Sequence, residues 1–273
     1  IVSPQSAENA ASLTPRYNGI SMEAITRYVL RVAKFFDVRL GSVLADVYQL
    51  GSLAHGGFSA LYSDIDVGLL LNCAEPPPGM GETIVAAKHL DPEYDKKLSV
   101  FWGNSDYNWG RLPVIDRLDL LDHGVPLMRG HQPTFRRPSR TEVHQALLES
   151  YERSYRPRLA EFVSLTRLEA DQRKPYIRNV LYPARLIYTW EKLAVDSNDR
   201  AVEYLHAIRP AGLDLEPIDR ALACRHDQCL AEDVLALAPD LNEQFDAAMK
   251  YLGLGKAKNA HHALAAKKDV SGL

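Results

Sequence analysis

Two aspartates one residue apart, Asp64 and Asp66, open a compact apolar run that ends at Leu71. Side chains on a strand alternate between its faces, so this spacing points both carboxylates one way and sends Ile65 and Val67 into a core. Carboxylates held side by side repel, and the pair is costly unless a cation neutralises it. A hard, oxygen-preferring ion such as Mg²⁺, or Mn²⁺ in its place, suits such a pair: it retains waters and draws further ligands from phosphate oxygens. The preceding residues suit the same ligand. The run Val43 to Leu50 reads as a strand that delivers Gly51 and Ser52, followed by a loop with Gly56 and Gly57. Gly51 permits close backbone approach, and Ser52 with nearby amides can donate to phosphate oxygens. Asp64 and Asp66 are therefore the metal and catalytic candidates. Gly51, Ser52 and Ser63, which lies just ahead of the pair, are the nucleotide-binding candidates.

Around this segment the chain divides by texture. An amphipathic helix from Ser21 to about Asp37 precedes the first strand. Leu98 to Trp102 reads as a third strand, Pro113 to Asp122 as a short helix and Val125 to Met128 as a fourth, short strand. Prolines 133 and 138 mark a seam. Beyond it, Ser139 to Leu165, Tyr176 to Leu193, Ser197 to His206, Glu216 to Cys224 and Asn242 to Leu252 carry helical periodicity. The expected fold is α+β: a small mixed sheet flanked by helices over residues 1–138, then an all-helical domain over 139–273.

Composition removes several function classes. Lys plus Arg number 32 against 35 Asp plus Glu, for a net charge of -3, so no global basic field exists to attract nucleic acid. A small acceptor is favoured over nucleic acid. No apolar stretch approaches the roughly 20 residues needed to span a bilayer, and Ile1 to Tyr17 lacks the pattern of a signal peptide. Three cysteines, Cys73, Cys224 and Cys229, are an odd, sparse set that fits buried thiols and a cytoplasmic location. His261 and His262 stand alone near the C-terminus, which disfavours zinc. Gly253 reads as a helix terminus, and Lys256, Lys258, Lys267 and Lys268 as a solvated basic tail.

The order Gly51-Ser52, short loop, Asp64-x-Asp66 on a strand resembles the signature of the nucleotidyltransferase superfamily that includes DNA polymerase β. Within it the chain is most similar to the aminoglycoside nucleotidyltransferases of the streptomycin and spectinomycin type. Leu181 to Thr189, then Ser197, Asn198, Asp199 and Ala201, resemble the central helix and the next helix start of their C-terminal domain. The resemblance implies transfer of a nucleoside monophosphate from a nucleoside triphosphate, ATP in the first place, to a hydroxyl of a small acceptor, with pyrophosphate leaving. Metal held by Asp64 and Asp66 would assist, and the acceptor would sit between the domains.

Two positions depart from that family. Ser99 stands on the third strand where the resemblance implies a third carboxylate, and a serine hydroxyl does not accept a proton near neutral pH. Asp95, Asp106, Asp116 and Asp119 could substitute if folded inward, although a surface acid is the plainer reading of each. Asn198 stands where the relatives carry a phosphate-directed lysine. The departures leave open a nucleotide-binding protein without turnover, and superfamily membership leaves open a toxin-like transferase acting on RNA or protein. Along the central helix, Tyr176, Tyr182, Arg185 and Tyr188 could stack a base or hold phosphate, with Arg185 and Tyr188 on one face, against the alternative of a buried aromatic stripe. Trp102 and Trp109 could form an acceptor platform or pack in a core.

Overall fold

The computed structural model describes residues 16–17, 20–106, 109–130, 136–226, 230–236 and 240–254. Cys229, the paired histidines and the lysine tail lie outside them. Two short strands, β1 (Arg16–Tyr17) and β2 (Ile20–Ser21), pair with each other ahead of helix α1 (Met22–Leu40). The Ser21 hydroxyl caps α1 by accepting from the Ala24 amide, and Ile25, Tyr28, Val29, Val32, Ala33 and Phe36 recur at helical spacing on its buried face. At about 1.5–3 kcal/mol for each large apolar side chain removed from water, that stripe is what fixes α1 on the sheet.

The sheet has five strands in the order β6-β5-β4-β3-β7. Strands β3 (Leu44–Leu50) and β4 (Ile65–Leu71) run antiparallel, and β4 and β5 (Leu98–Asn104) run parallel. The edges are β6 (Gly110–Arg111) and β7 (Val125–Pro126), each antiparallel to its neighbour. Between β3 and β4 lies a single helical turn, α2 (Ser52–His55). Helix α3 (Met80–Lys88) stands where the sequence suggested no element: Gly81 weakens its helical pattern, and Met80 and Ala87 alone are buried in it. Alternation divides the sheet faces. Ile65, Val67, Leu69 and Leu71 pack with α1 and α3, whereas Tyr48 and Leu50 pack with Leu112 and with Leu120 of α4 (Val114–His123) on the other face. Asp66 lies on the α4 side, between Leu50 and Ser99 in register.

The remainder is helical: α5 (Arg140–Ser150), α6 (Arg156–Val163), α7 (Ala170–Val180), α8 (Tyr182–Lys192), α9 (Asn198–Ile208), α10 (Glu216–Arg225), α11 (Ala231–Leu235) and α12 (Leu241–Tyr251). Prolines shape two segments that periodicity alone ran together. Helices α5 and α6 join through a π turn at Tyr151–Tyr155 next to Pro157, and the long Tyr176 to Leu193 pattern breaks at Leu181 next to Pro183, each proline lacking an amide hydrogen for the preceding turn. Leu118 of α4 belongs to the helical core while Leu120 belongs to the sheet, so α4 is shared between the two layers. Cys224 is disulfide-bonded rather than the free buried thiol expected, and Cys73 is free. Among the described residues no helix is long and apolar enough to cross a membrane.

Candidate active site

Asp64 and Asp66 open into a cleft of about 340 Å³ between the α4 face of the sheet and the helical layer. Ser52, Ser99 and Asp116 line it from the sheet side. Lys174, Arg178, Arg185 and Arg225 line it from helices α7, α8 and α10. Gly51 has φ +63 at the end of β3, and a Cβ placed there would lie 2.2 Å from Asp66 Oδ2. Only glycine tolerates both the backbone angle and that approach. The Gly51 amide donates to Asp119 Oδ2 at 2.6 Å, so it is committed within the protein. Asp119 Oδ1 is buried without a hydrogen-bond partner, 4.0 Å from His55 Nε2. Burial lowers the His55 pKa against the opposing pull of Asp119.

The carboxylates are crowded. Burial, and then the charges of Asp64, Asp116 and Asp119, push Asp66 from 3.8 up to about 7. Burial and Asp119 push Asp116 up to about 6. The Asp66 carboxylate has no hydrogen-bond or ion-pair partner among the described residues, whereas Asp64 Oδ1 accepts from Lys174 Nζ at 2.5 Å. No group of three or more His, Cys, Asp or Glu side chains among the described residues could enclose a metal ion. Two oxygen donors with unmet charge suit an ion that completes its shell from water and phosphate, so the donor set fits Mg²⁺ or Mn²⁺ and does not fit a closed protein cage.

Across the cleft the helical layer presents cations. Arg178 Nε donates to the Tyr155 hydroxyl, and Arg225 Nη2 donates to Ser63 Oγ at 3.1 Å and to the Gly57 carbonyl. The Arg185 guanidinium makes no hydrogen bond or ion pair among the described residues while lining the cleft. Burial, with repulsion from Arg185 and Arg178, pulls Arg225 down to about 10. Mutually repelling guanidinium groups thus stand across the cleft from mutually repelling carboxylates.

Asp116 and Asp119 are not surface acids: α4 is packed on both sides, and its i, i+3 pair turns into the cleft. Asp95 is partly exposed beside His89, and Asp106 is exposed. Ser63 is buried, its hydroxyl accepting from the Ser59 amide and from Arg225, so it anchors the loop across the seam. Tyr188 lines an adjoining cavity of about 270 Å³ that shares Asp116, Arg178 and Arg185 with the cleft, and its hydroxyl reaches Asp196. Tyr176 and Tyr182 are buried, each donating its hydroxyl to a backbone carbonyl, with Tyr182 stacked on Tyr155. Trp102 and Trp109 sit 5.8 Å apart against the sheet core, away from the cleft. Lys174, Arg178 and Arg225 were not singled out from sequence. Lys174 and Arg178 share a helix face at i, i+4, which was the available signal.

No protein-family model matches the chain, and no curated relative matches it. Among solved structures it is similar to the crystal structure of spectinomycin adenyltransferase AAD(9) from Enterococcus faecialis with ATP and spectinomycin. The likeness covers 80% of this chain and 98% of that one, at a TM-score of 0.55 and 15% identity. The likeness is one of fold. It supports a nucleotidyltransferase-like arrangement of mixed sheet and helical layer, on which the chemistry of the cleft must be argued from its own residues.

Proposed function

We propose that this chain is a metal-dependent nucleotidyltransferase that moves a nucleoside monophosphate from a nucleoside triphosphate, ATP in the first place, to a hydroxyl of a small acceptor. The observation that carries this is the Asp64–Asp66 pair facing the arginines of α7, α8 and α10 across one cleft. The fold it shares with a protein solved with ATP and spectinomycin supports the same reading. A catalytic layer over 1–138 and a closing helical layer over 139–273 follow from it, with α4 as the shared wall.

Asp64 and Asp66 would hold Mg²⁺ or Mn²⁺, which when bound neutralises phosphate charge during an in-line displacement. Arg185 and Arg178 orient the phosphate chain, and Ser52 donates to it. Asp116 is the carboxylate placed to accept the proton of the attacking hydroxyl, the role that Ser99 cannot fill. Because Asp116 also lines the adjoining cavity, that cavity takes the acceptor, and Tyr188 contacts the acceptor rather than the base.

One observation favours a second reading, nucleotide binding without turnover: the residue beside Asp66 in register is Ser99. Pyrophosphate release from ATP decides between them, measured with Mg²⁺ or Mn²⁺ against hydroxylated acceptors including streptomycin and spectinomycin, beside Asp64→Asn. Acceptor-dependent release that is lost in the variant establishes transfer. Metal-dependent ATP binding without release under any acceptor establishes the second reading.

A further inference from the structure

The ion pair between Lys174 and Asp64 joins residues 110 positions apart and is the direct charge contact between the helical layer and the carboxylate pair. Its geometry is unusual for a structural tie. Both side chains are about one-third exposed, at 35% and 34%, so neither needs the other to escape desolvation. A pair this accessible is held by about 0–1 kcal/mol and is reversible. The ammonium also satisfies one carboxylate out of a crowded set: Asp66, beside Asp64 on the same strand face, has no such partner among the described residues.

We propose that Lys174 is a tethered counter-ion of the carboxylate pair, which a divalent cation displaces from Asp64 and which then moves to the phosphate chain of the bound nucleotide. The proposal rests on the reading of Asp64 and Asp66 as the metal carboxylates. A divalent ion engages both carboxylates at once and so outcompetes a single ammonium on one of them. The released side chain has little other company. Lys97, whose ammonium donates to the Ala60 carbonyl, repels it from one side, and Arg178 and Arg185 occupy the cleft on the other. A polyanion entering between those arginines is the partner that a flexible four-carbon stem can reach. Metal alone therefore binds against Lys174, whereas metal and triphosphate bind cooperatively, because the second ligand re-pairs the cation that the first has freed.

The test is binding rather than turnover. Free Mn²⁺ is followed by electron paramagnetic resonance, and ATP by equilibrium dialysis at saturating Mn²⁺, in wild type, Lys174→Met, Lys174→Arg and Asp64→Asn. Lys174→Met is expected to bind Mn²⁺ alone about twofold to fivefold more tightly and ATP about tenfold more weakly, with Lys174→Arg restoring the ATP affinity. A merely structural lysine would weaken both ligands together in Lys174→Met. Unchanged Mn²⁺ affinity in that variant, or loss of both affinities, overturns the proposal. If Asp64→Asn binds Mn²⁺ as wild type does, the reading of the metal carboxylates falls with it. If Asp64→Asn loses the ion while Lys174→Met matches wild type, the counter-ion proposal alone falls.

Discussion

Replacing Asp66 with asparagine should stabilise the ligand-free protein while removing its response to metal. Burial first, and then the charges of Asp64, Asp116 and Asp119, hold the folded Asp66 carboxyl at about 7 against 3.8 for a free aspartate. A carboxyl raised on folding is a burden that grows with pH. Below about pH 4 both states hold the proton and the burden is small; between about pH 4 and 7 the unfolded chain gives up its proton while the folded one keeps it. Each pH unit in that window removes about 1.4 kcal/mol of stability, which sums to about 4 kcal/mol at pH 8 and about 2 kcal/mol at pH 5. Asparagine has nearly the same shape and no charge, so it recovers up to those amounts. At about 2–4 °C per kcal/mol for a chain of this size, Tm should rise by about 10 °C at pH 8 and by about half that at pH 5. Thermal unfolding followed by circular dichroism, in chelator and then with Mn²⁺, reads both effects. Wild type should gain stability with Mn²⁺ and the variant should not. A variant no more stable than wild type at pH 8 in chelator would refute the electrostatic reasoning, and a gain independent of pH would assign the effect to packing.

Two further substitutions test the geometry around that carboxylate. Gly51→Ala forces an L side chain to φ +63 and sets its Cβ against Asp66 Oδ2; a loss of about 2–4 kcal/mol is expected in the denaturant midpoint, and a neutral result would mean that the turn relaxes freely. Asp116→Asn should lower kcat of acceptor-dependent pyrophosphate release by about 100-fold or more with the KM for ATP changed less than about twofold; a rise in KM at constant kcat would place Asp116 in nucleotide binding instead.

What was legible in the sequence was whatever one element's periodicity determines. Asp64 and Asp66 flank buried Ile65 where the central strand β4 begins, so alternation points both to one face, and Gly51 follows a strand whose partner register is short-range. The acids of α4 were not legible because a surface acid is the ordinary outcome for a charged helical residue. Asp116 and Asp119 become cleft residues only because Leu118 packs on the helical core and Leu120 on the sheet, leaving their shared face at the seam. The apolar residues on two sides of that short helix were the available clue. Arg225 could not be placed at all, since its position depends on how the end of α10 meets Gly57 and Ser63, contacts that span more than 160 positions. The aromatic series on α7 and α8 divides between its two readings: Tyr176 and Tyr182 hold the helical core as a buried stripe, and Arg185 and Tyr188 reach open space.

The site is built at a seam, and its polar contacts explain why the seam closes where it does. Asp119 of α4 receives the Gly51 amide, Arg225 of α10 holds Ser63 and the Gly57 carbonyl, and Lys174 of α7 sits on Asp64. Gly57 packs so closely on the start of α9 that a Cβ there would lie 2.9 Å from Asp199 Oδ2. Each segment of the sheet that would touch a nucleotide is thus held by a helical residue, Gly51 from α4 on its own side and the other two from α7 and α10 across the cleft. Apolar burial fixes the sheet with α1, fixes the helical bundle with itself and joins the two through α4 at Leu118 and Leu120, and beside that apolar joint the cleft carries charges and hydrogen bonds, which water and phosphate can replace. A site of that kind gains its geometry when the layers close and can yield contacts to a ligand without disturbing either core. That is the physical reason to look for the reaction at this seam and not in the more enclosed interior of either layer.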